Sequence, residues 1–128
     1  MEGVKAIAKG VRVSPRKVGV VAALVRGRTV SDALVILQHT QRRAAIPVRK
    51  VIESARANAE HNHNFKPDSL RIVEISVTHG PRQKRFRPAS HGRALPYMHR
   101  SSHIRVVVNG DQRTVKKTAA AKPVEGDK

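Results

Sequence analysis

The sequence predicts an α+β fold: three helices packed on a small three-stranded antiparallel sheet, with a long protruding β-hairpin. Three observations support this prediction. Over the first half of the chain, apolar residues recur at three- and four-residue spacings, which indicates amphipathic helices. Residues 70–78 and 104–108 instead alternate apolar and polar side chains, as half-buried strands do. The segment between them is rich in arginine and contains prolines, which favours an exposed, extended structure.

The N-terminal part predicts a strand followed by a helix. Residues 11–13 alternate, and residues 4–8 extend the strand. Ser14 can cap the helix, and Pro15 suits the first helical position because no backbone donor is needed there. The helix ends at Gly27, which tolerates a positive φ. Its buried stripe comprises Val18, Val21, Ala22 and Val25.

Two further helices follow. Ser31 is the predicted cap of a short helix that runs to about Thr40. A longer helix is predicted from about Gln41 to Glu60 or His61, and Pro47 requires either a kink or a late start because it removes a donor. The core-facing residues are Ala33, Leu34 and Leu37 in the short helix and Ala45, Val48, Ile52, Ala55 and Ala59 in the long one, whose opposite face carries Arg42, Arg49, Lys50, Glu53 and Arg56.

The second half predicts two strands and a tail. Residues 70–78 place Val73, Ile75 and Val77 on one face, and Ile104, Val106 and Val108 form a matching strand that can pair with it antiparallel. Beyond Gly110 the chain is polar and has no buried stripe. We therefore expect one domain over residues 1–110 and a disordered basic tail over residues 111–128.

The charge balance points to a polyanionic partner. The chain has 26 Lys and Arg against 9 Asp and Glu, a net charge of +17, which causes strong self-repulsion in a free compact protein. The absence of cysteine excludes disulfides, thiolate zinc sites and cysteine nucleophiles. No run of about 18 apolar residues is present, so we expect no membrane-spanning segment. Because Phe65, Phe86 and Tyr97 are the only aromatic residues, phosphate contacts are favoured over base stacking.

The charge is concentrated in the proposed hairpin, residues 80–103. From Ile75 to Gly110 there is no Asp or Glu. Each arm of about ten residues can extend on the order of 30 Å at roughly 3.3 Å per residue. Pro88 and Pro96 lack the donors needed in a wider sheet, and Gly92 suits the bend. Since an isolated cationic ribbon is marginally stable in water, we expect it to be ordered on RNA.

Seven short motifs stand out over about residues 4–109. They are Ser14-Pro15-Arg16-Lys17-Val18, Leu24-Val25-Arg26-Gly27, Ala55-Arg56-Ala57-Asn58-Ala59-Glu60-His61-Asn62, Gly80-Pro81, Lys84-Arg85-Phe86-Arg87-Pro88, Gly92-Arg93-Ala94 and Arg100-Ser101-Ser102-His103-Ile104. In their order and spacing they resemble the universal L-twenty-two family of bacterial large-subunit ribosomal proteins. The chain departs from the family pattern at Ala89-Ser90, His91, Leu95-Pro96-Tyr97 and His99.

The resemblance implies a structural constituent of the large subunit that binds 23S ribosomal RNA, supports assembly and lines the nascent-peptide exit tunnel with its hairpin. Implied partners are neighbouring large-subunit proteins and the nascent polypeptide, in cytoplasmic ribosomes, with no cofactor, membrane or homo-oligomer. The predicted RNA-binding residues are Arg12, Arg16, Lys17, Arg82, Lys84, Arg85, Arg87, Arg93, Arg100, His103 and Arg105. The predicted tunnel-lining tip comprises Pro88, Ala89, Ser90, His91, Gly92 and Arg93.

Other interpretations remain open at this point. An architectural DNA-binding protein can also use a proline-containing β-ribbon arm. A nuclease is less favoured, because the histidines of an extended arm are spread out rather than held in one pocket. His61 and His63 lack the further ligands that a zinc site needs. Arg16 and Lys17 oppose the dipole at a helix start, which bound phosphate would offset, although they can also be simply solvated. We expect no catalytic residue and no metal ligand.

Overall fold

The computed structural model describes residues 3–114 of the 128-residue chain. Five strands and three α-helices confirm the α+β prediction. A single 3₁₀ turn at Pro67–Ser69 and a tight turn at Ser90–Gly92 complete the described elements. In chain order the main elements are β1 Val4–Val11, α1 Pro15–Val25, α2 Val30–His39, α3 Ala45–Asn62, β2 Arg71–His79, β3 Gln83–Pro88, β4 Ala94–His99 and β5 Ser102–Asn109.

The strands form two separate antiparallel sheets. One has the order β1-β5-β2, and the other consists of β3 and β4 alone. The predicted pairing of the strand near residue 75 with the strand near residue 106 is confirmed, since Ile75 lies opposite Val106. The β1–β5 register shifts between Ala8 and Val11, where Gly10 has a φ of 70°.

Val73 does not face the core as predicted. Its side chain is 61% exposed, whereas Ile72 is buried. The cause is a bulge, because Ile72 lies opposite Val108 and Glu74 opposite Val107, which leaves Val73 as an extra residue on β2. The bulge interrupts the alternation of inward and outward side chains. Ile72 and Ile75 are therefore both buried although they are three residues apart.

The helices pack on the β1-β5-β2 sheet and enclose one apolar cluster. Ile52 of α3, Val18 of α1 and Ile104 of β5 are all fully buried in it. Burying a side chain of this size stabilises the fold by about 1.5–3 kcal/mol. The predicted stripes of α1 and α3 are confirmed as buried residues. None of the helices within residues 3–114 is both long enough and apolar enough to cross a membrane.

The helix starts only partly follow the predicted caps. Pro15 begins α1, but the Ser14 side chain makes no capping hydrogen bond. The cap of α2 is Thr29 rather than Ser31, and the Thr29 Oγ1 accepts a hydrogen bond of 3.3 Å from the Asp32 N–H. Thr29 also forms a bridge to Arg71, which holds its backbone in the extended conformation that a cap requires.

The third helix starts late, as one of the two alternatives predicted. It begins at Ala45, so Pro47 lies in the first turn, where the missing donor has little cost. Arg42 was expected on the helix face but lies in the preceding loop. At the other end of the body, Asp111 accepts a hydrogen bond from the Lys66 N–H, and Gln112 forms a bridge to Phe65. The start of the expected tail is therefore bound to the body, and residues 115–128 lie outside the described residues.

Candidate nucleic-acid interface

The base of the hairpin is closed by a short set of hydrogen bonds. The Gly80 N–H donates to the Ser101 carbonyl at 2.8 Å, and the Ser101 hydroxyl donates to the Pro81 carbonyl. A Cβ on Gly80 would lie 2.6 Å from the Ser101 Oγ and 3.0 Å from its carbonyl carbon. Glycine is therefore required for the two arms to approach so closely.

The hairpin has two chemically different faces. Residues opposite each other in an antiparallel pair share a face, and successive residues alternate between faces. One face, here called the basic face, carries Gln83, Arg85, Arg87, Leu95, Tyr97 and His99. The other, here called the apolar face, carries Lys84, Phe86, Pro88, Ala94, Pro96 and Met98. Lys84 is the only charged member of the apolar face.

Contacts on the basic face leave its guanidinium groups accessible. The Arg87 guanidinium lies over the Tyr97 ring, 5.2 Å from the centroid, and the His99 ring contacts the same tyrosine edge-on at 5.3 Å. Tyr97 is half-buried by these neighbours, so it offers little free surface for a base. On the apolar face, by contrast, the Phe86 ring is 75% exposed.

The tip is a tight five-residue loop, residues 89–93. The Ala89 N–H donates to the Arg93 carbonyl at 2.8 Å. His91 and Gly92 have φ values of 59° and 67°, so the chain turns through two consecutive left-handed residues. Glycine adopts this conformation without cost, whereas histidine is among the few other residues found there. The side chains of Pro88, Ser90, His91 and Arg93 are exposed, and Ala89 is half-buried.

The cations of the hairpin have no carboxylate partner within residues 3–114. The two ion pairs described there are Arg49–Glu53 at 3.6 Å and Arg113–Glu60 at 3.9 Å, and neither includes a residue of the hairpin. Exposed side chains on the hairpin and its base include Arg82, Lys84, Arg85, Arg87, Arg93 and Arg100. Their positive charge is therefore available to an external anion.

A cleft of about 450 Å³ lies where the hairpin meets the body. It is lined by Gly10, Arg12, Arg43, Pro81, Gln83, His99, Arg100 and Ser101. A second, adjoining cleft of about 310 Å³ shares Arg12 and Arg43 with the first. Its remaining lining residues are Val13, Ser14, Lys17, Arg42 and Ala44. Both clefts together form a concave basic surface beside the hairpin base.

Four of the predicted residues lie outside these clefts and outside residues 83–99 of the hairpin. Arg16 is exposed on α1, and Arg82 is exposed at the start of the hairpin. The Gly10 N–H donates to the His103 Nδ1 at 3.0 Å, so His103 holds the β1 bulge in place. Arg105 is half-buried in the middle strand of the sheet, between Ile7 and Ser76.

Arg43 is the main residue that the sequence did not indicate. It lines both clefts, together with residues more than 30 positions away along the chain. The basic pair Arg42-Arg43 is the available signal, but the predicted helix from about Gln41 includes both residues, places Arg42 on its exposed face and gives Arg43 no role. Within residues 3–114, no group of three or more histidine or acidic side chains is placed to hold a metal ion.

The arrangement is suited to binding phosphates. Arginine presents a planar fork of donors that matches phosphate oxygens, and it remains charged at physiological pH. The basic face, the tip and the clefts together present arginines on a surface that extends from the hairpin tip to the residues before α1 and α3. A polyanion that extends along the hairpin and around its base can contact all three.

Comparisons with known proteins match most of the chain. A family model described as ribosomal protein L22p/L17e matches residues 6–109. The large ribosomal subunit protein uL22 of Desulfitobacterium hafniense strain Y51 is 54% identical over 108 residues, which cover 84% of this chain and 95% of that protein. The protein of the same name in Oceanobacillus iheyensis is 54% identical over 104 residues, which cover 81% of this chain and 92% of that protein. The uL22 protein of Clostridium perfringens strain 13 is 52% identical over 104 residues, which cover 81% of this chain and 94% of that protein.

Proposed function

Because the chain belongs to the ribosomal protein L22p/L17e family, and is thus a structural and non-enzymatic component of the large ribosomal subunit, we propose that it fastens 23S ribosomal RNA during assembly and lines the nascent-peptide exit tunnel with its hairpin. Residues 1–110 act as one RNA-binding domain. The protein works in cytoplasmic ribosomes beside neighbouring large-subunit proteins, as a single copy without a cofactor.

The observation that carries this proposal is the two-faced, acid-free hairpin. The basic face binds phosphates through Arg85 and Arg87, and Arg93 and Arg100 extend the contact to the tip and the base. Further RNA contacts come from Lys84 near the base of the hairpin. The remaining contacts come from Arg12, Arg16, Lys17, Arg82, His103 and Arg105. A ribbon that lies on RNA through one face leaves its other face and its tip to border an open space.

The tunnel is the open space we propose. Pro88, Ala89, Ser90, His91, Gly92 and Arg93 border it at the tip, and the apolar face borders it along the arms. Residues of low charge suit a surface past which peptides of any sequence must move, because fixed charges would retain oppositely charged segments.

An architectural DNA-binding role is the second candidate, favoured by one observation. The apolar face presents Phe86, Pro88 and Pro96, and apolar side chains on a β-ribbon can wedge between base steps of a duplex. The two candidates differ in the nucleic acid that they require. The first requires the large subunit, and the second requires duplex DNA without ribosomes.

Sedimentation of a lysate, with and without RNase, tests the proposed RNA-binding role. We expect the protein to migrate with the large subunit and to leave that fraction after RNase, but not after DNase. A variant with Arg85→Glu and Arg87→Glu should be depleted from the subunit, while a variant with Gln38→Glu, exposed on α2, should not. Migration that depends on DNA instead would overturn the proposal.

Site-directed crosslinking tests the tunnel-lining role. The chain contains no cysteine, so a single Ser90→Cys substitution gives a unique attachment site at the tip. We expect a photoreactive group there to label a nascent polypeptide in translating ribosomes. The same group at Gln38→Cys should not label it. Labelling of RNA alone from position 90 would contradict the tunnel-lining role and leave RNA binding intact.

A further inference from the structure

The cleft between hairpin and body brings together three arginines from three different parts of the chain. Arg12 follows β1, Arg43 lies in the loop between α2 and α3, and Arg100 follows β4. All three are exposed, and none takes part in an ion pair among residues 3–114. Three unneutralised guanidinium groups around one concavity repel each other, so a bound anion stabilises their arrangement.

The lining identifies the class of anion. Small-molecule pockets have mostly apolar walls, whereas this cleft is lined largely by arginine, glutamine, histidine and serine. No carboxylate lines it, so the cleft offers no negative charge to a metal cation or a basic peptide. Arginine binds phosphate through paired donors, and a volume of about 450 Å³ admits a phosphate group with its neighbouring sugars.

The adjoining cleft supports the same assignment. It is lined by Ser14 and Ala44, the residues just before α1 and α3, and by Lys17 in the first turn of α1. Neither helix has a side-chain cap or an acidic residue in its first turn, whereas α2, which starts elsewhere, has both. The partial positive charge of these two helix starts therefore adds to that of Lys17 and Arg42. A phosphate chain that leaves the first cleft meets further positive charge in the second.

The hairpin has few other attachments to the body. It joins β2 and β5 through residues 80–82 and 100–101, and its base hydrogen bonds, from Gly80 and Ser101, connect these two linkers only to each other. Among residues 3–114, no hydrogen bond joins residues 82–100 to β1 or to a helix. Nothing in this bonding fixes the angle between hairpin and body.

We propose that an RNA phosphodiester binds in this cleft to Arg12, Arg43 and Arg100, and that it fixes the direction in which the hairpin projects. Arg12 and Arg43 belong to the body and Arg100 to the linker that carries the hairpin, so a single anion held by all three connects the body to the base of the hairpin. This inference rests on the proposed RNA-binding function and deepens it. RNA acts here as a structural part of the junction and not only as the surface on which the hairpin lies.

A distance measurement between two spin labels tests the inference. The labels are placed through Ala57→Cys, exposed on α3, and Ser90→Cys at the tip, in the full chain, which has no other cysteine. The probe is a single-stranded oligouridylate of about ten nucleotides. We expect a broad distribution of distances in the free protein and a narrow one at saturating RNA.

Variants separate the cleft from general RNA binding. The double variant Arg43→Ala and Arg100→Ala should keep a broad distribution at saturating RNA, and its affinity should fall by about tenfold to a hundredfold, as expected for lost charged hydrogen bonds. The control is Arg71→Ala, because Arg71 is exposed at the other end of β2, about 26 Å from His79 at 3.3 Å per residue. With this control variant, the distribution of label distances should become as narrow at saturating RNA as it does with the unsubstituted chain.

The outcomes are distinguishable. The inference would be overturned if RNA narrowed the distance distribution of the double variant as much as that of the unsubstituted chain. It would also be overturned if the unsubstituted chain already had a narrow distribution without RNA. Either result would leave RNA binding in place. Absence of salt-sensitive RNA binding by the unsubstituted chain would overturn the proposed function as well. Since all three arginines are exposed, the variants should retain the thermal transition of the body, and that transition is measured alongside.

Discussion

The two faces of the hairpin predict that charge and apolar substitutions have different effects on the salt dependence of RNA binding. The perturbation is Arg85→Ala with Arg87→Ala on the basic face. The matched control is Phe86→Ala with Met98→Ala on the apolar face, at exposed positions of β3 and of its partner strand β4. The first pair removes two cations and the second removes none.

The magnitude follows from the number of phosphates that are neutralised. Each phosphate contact contributes about 0.7 for single strands, and about 0.9 for duplexes, to the slope of log affinity against log salt. Loss of two contacts therefore lowers the slope by about 1.4–1.8. Between about 50 and 200 mM salt, the affinity of the unsubstituted chain should fall about tenfold more than that of the arginine variant.

Fluorescence anisotropy with a labelled fragment of ribosomal RNA, repeated over a salt series, measures both slopes. Arg87 also loses its contact with Tyr97, but such exposed cation–π contacts contribute only about 0.5–1 kcal/mol and little salt dependence. An unchanged slope in the arginine variant would refute the assignment of the basic face. An equal decrease of the slope in the variant with Phe86→Ala and Met98→Ala would also refute it, since that pair carries no charge.

Three further predictions concern stability. Ile52→Ala should lower the free energy of unfolding by about 2–5 kcal/mol in chemical denaturation, because Ile52 is fully buried, while Val35→Ala at a 55% exposed position should change it by less than about 0.5 kcal/mol. Gly80→Ala should speed amide hydrogen exchange at the hairpin base, because the added Cβ would clash with Ser101. Gly19→Ala has open space around its Cβ and lies within α1, so it should instead raise the free energy of unfolding by up to about 1 kcal/mol. Deletion of residues 84–94 should leave the thermal transition of the body unchanged, since all of these side chains are exposed or half-buried; a clear decrease would show that the hairpin is part of the core.

The sequence predicted the elements that depend on regular periodicity. The spacing of Val18, Val21 and Val25 identified α1, and the alternation from Ile104 to Val108 identified β5, because both patterns follow directly from backbone geometry. The prolines identified the hairpin as separate from the main sheet, and β3 and β4 do form a sheet of their own. These features are local, or depend on one pairing.

The errors arose where distant parts of the chain determine local structure. The bulge at Val73 depends on how β2 pairs with β5, and alternation alone cannot reveal an extra residue. Thr29 rather than Ser31 caps α2 because its bridge to Arg71 fixes its backbone. The junction cleft was missed for the same reason, since Arg12, Arg43 and Arg100 become neighbours only after the sheet and the helices have assembled.

The continuity between β4 and β5 also has a mechanical consequence. Only Arg100 and Ser101 separate β4, the second arm of the hairpin, from β5, the central strand of the sheet, which is paired on both sides. A pull on the tip along the strand direction acts on β2 and β5 together, through the two arms, and loads the hydrogen bonds between β5 and β1 in parallel rather than one after another. The force is then shared among these bonds, so the body should hold the hairpin firmly under tension even though its bending is weakly restrained.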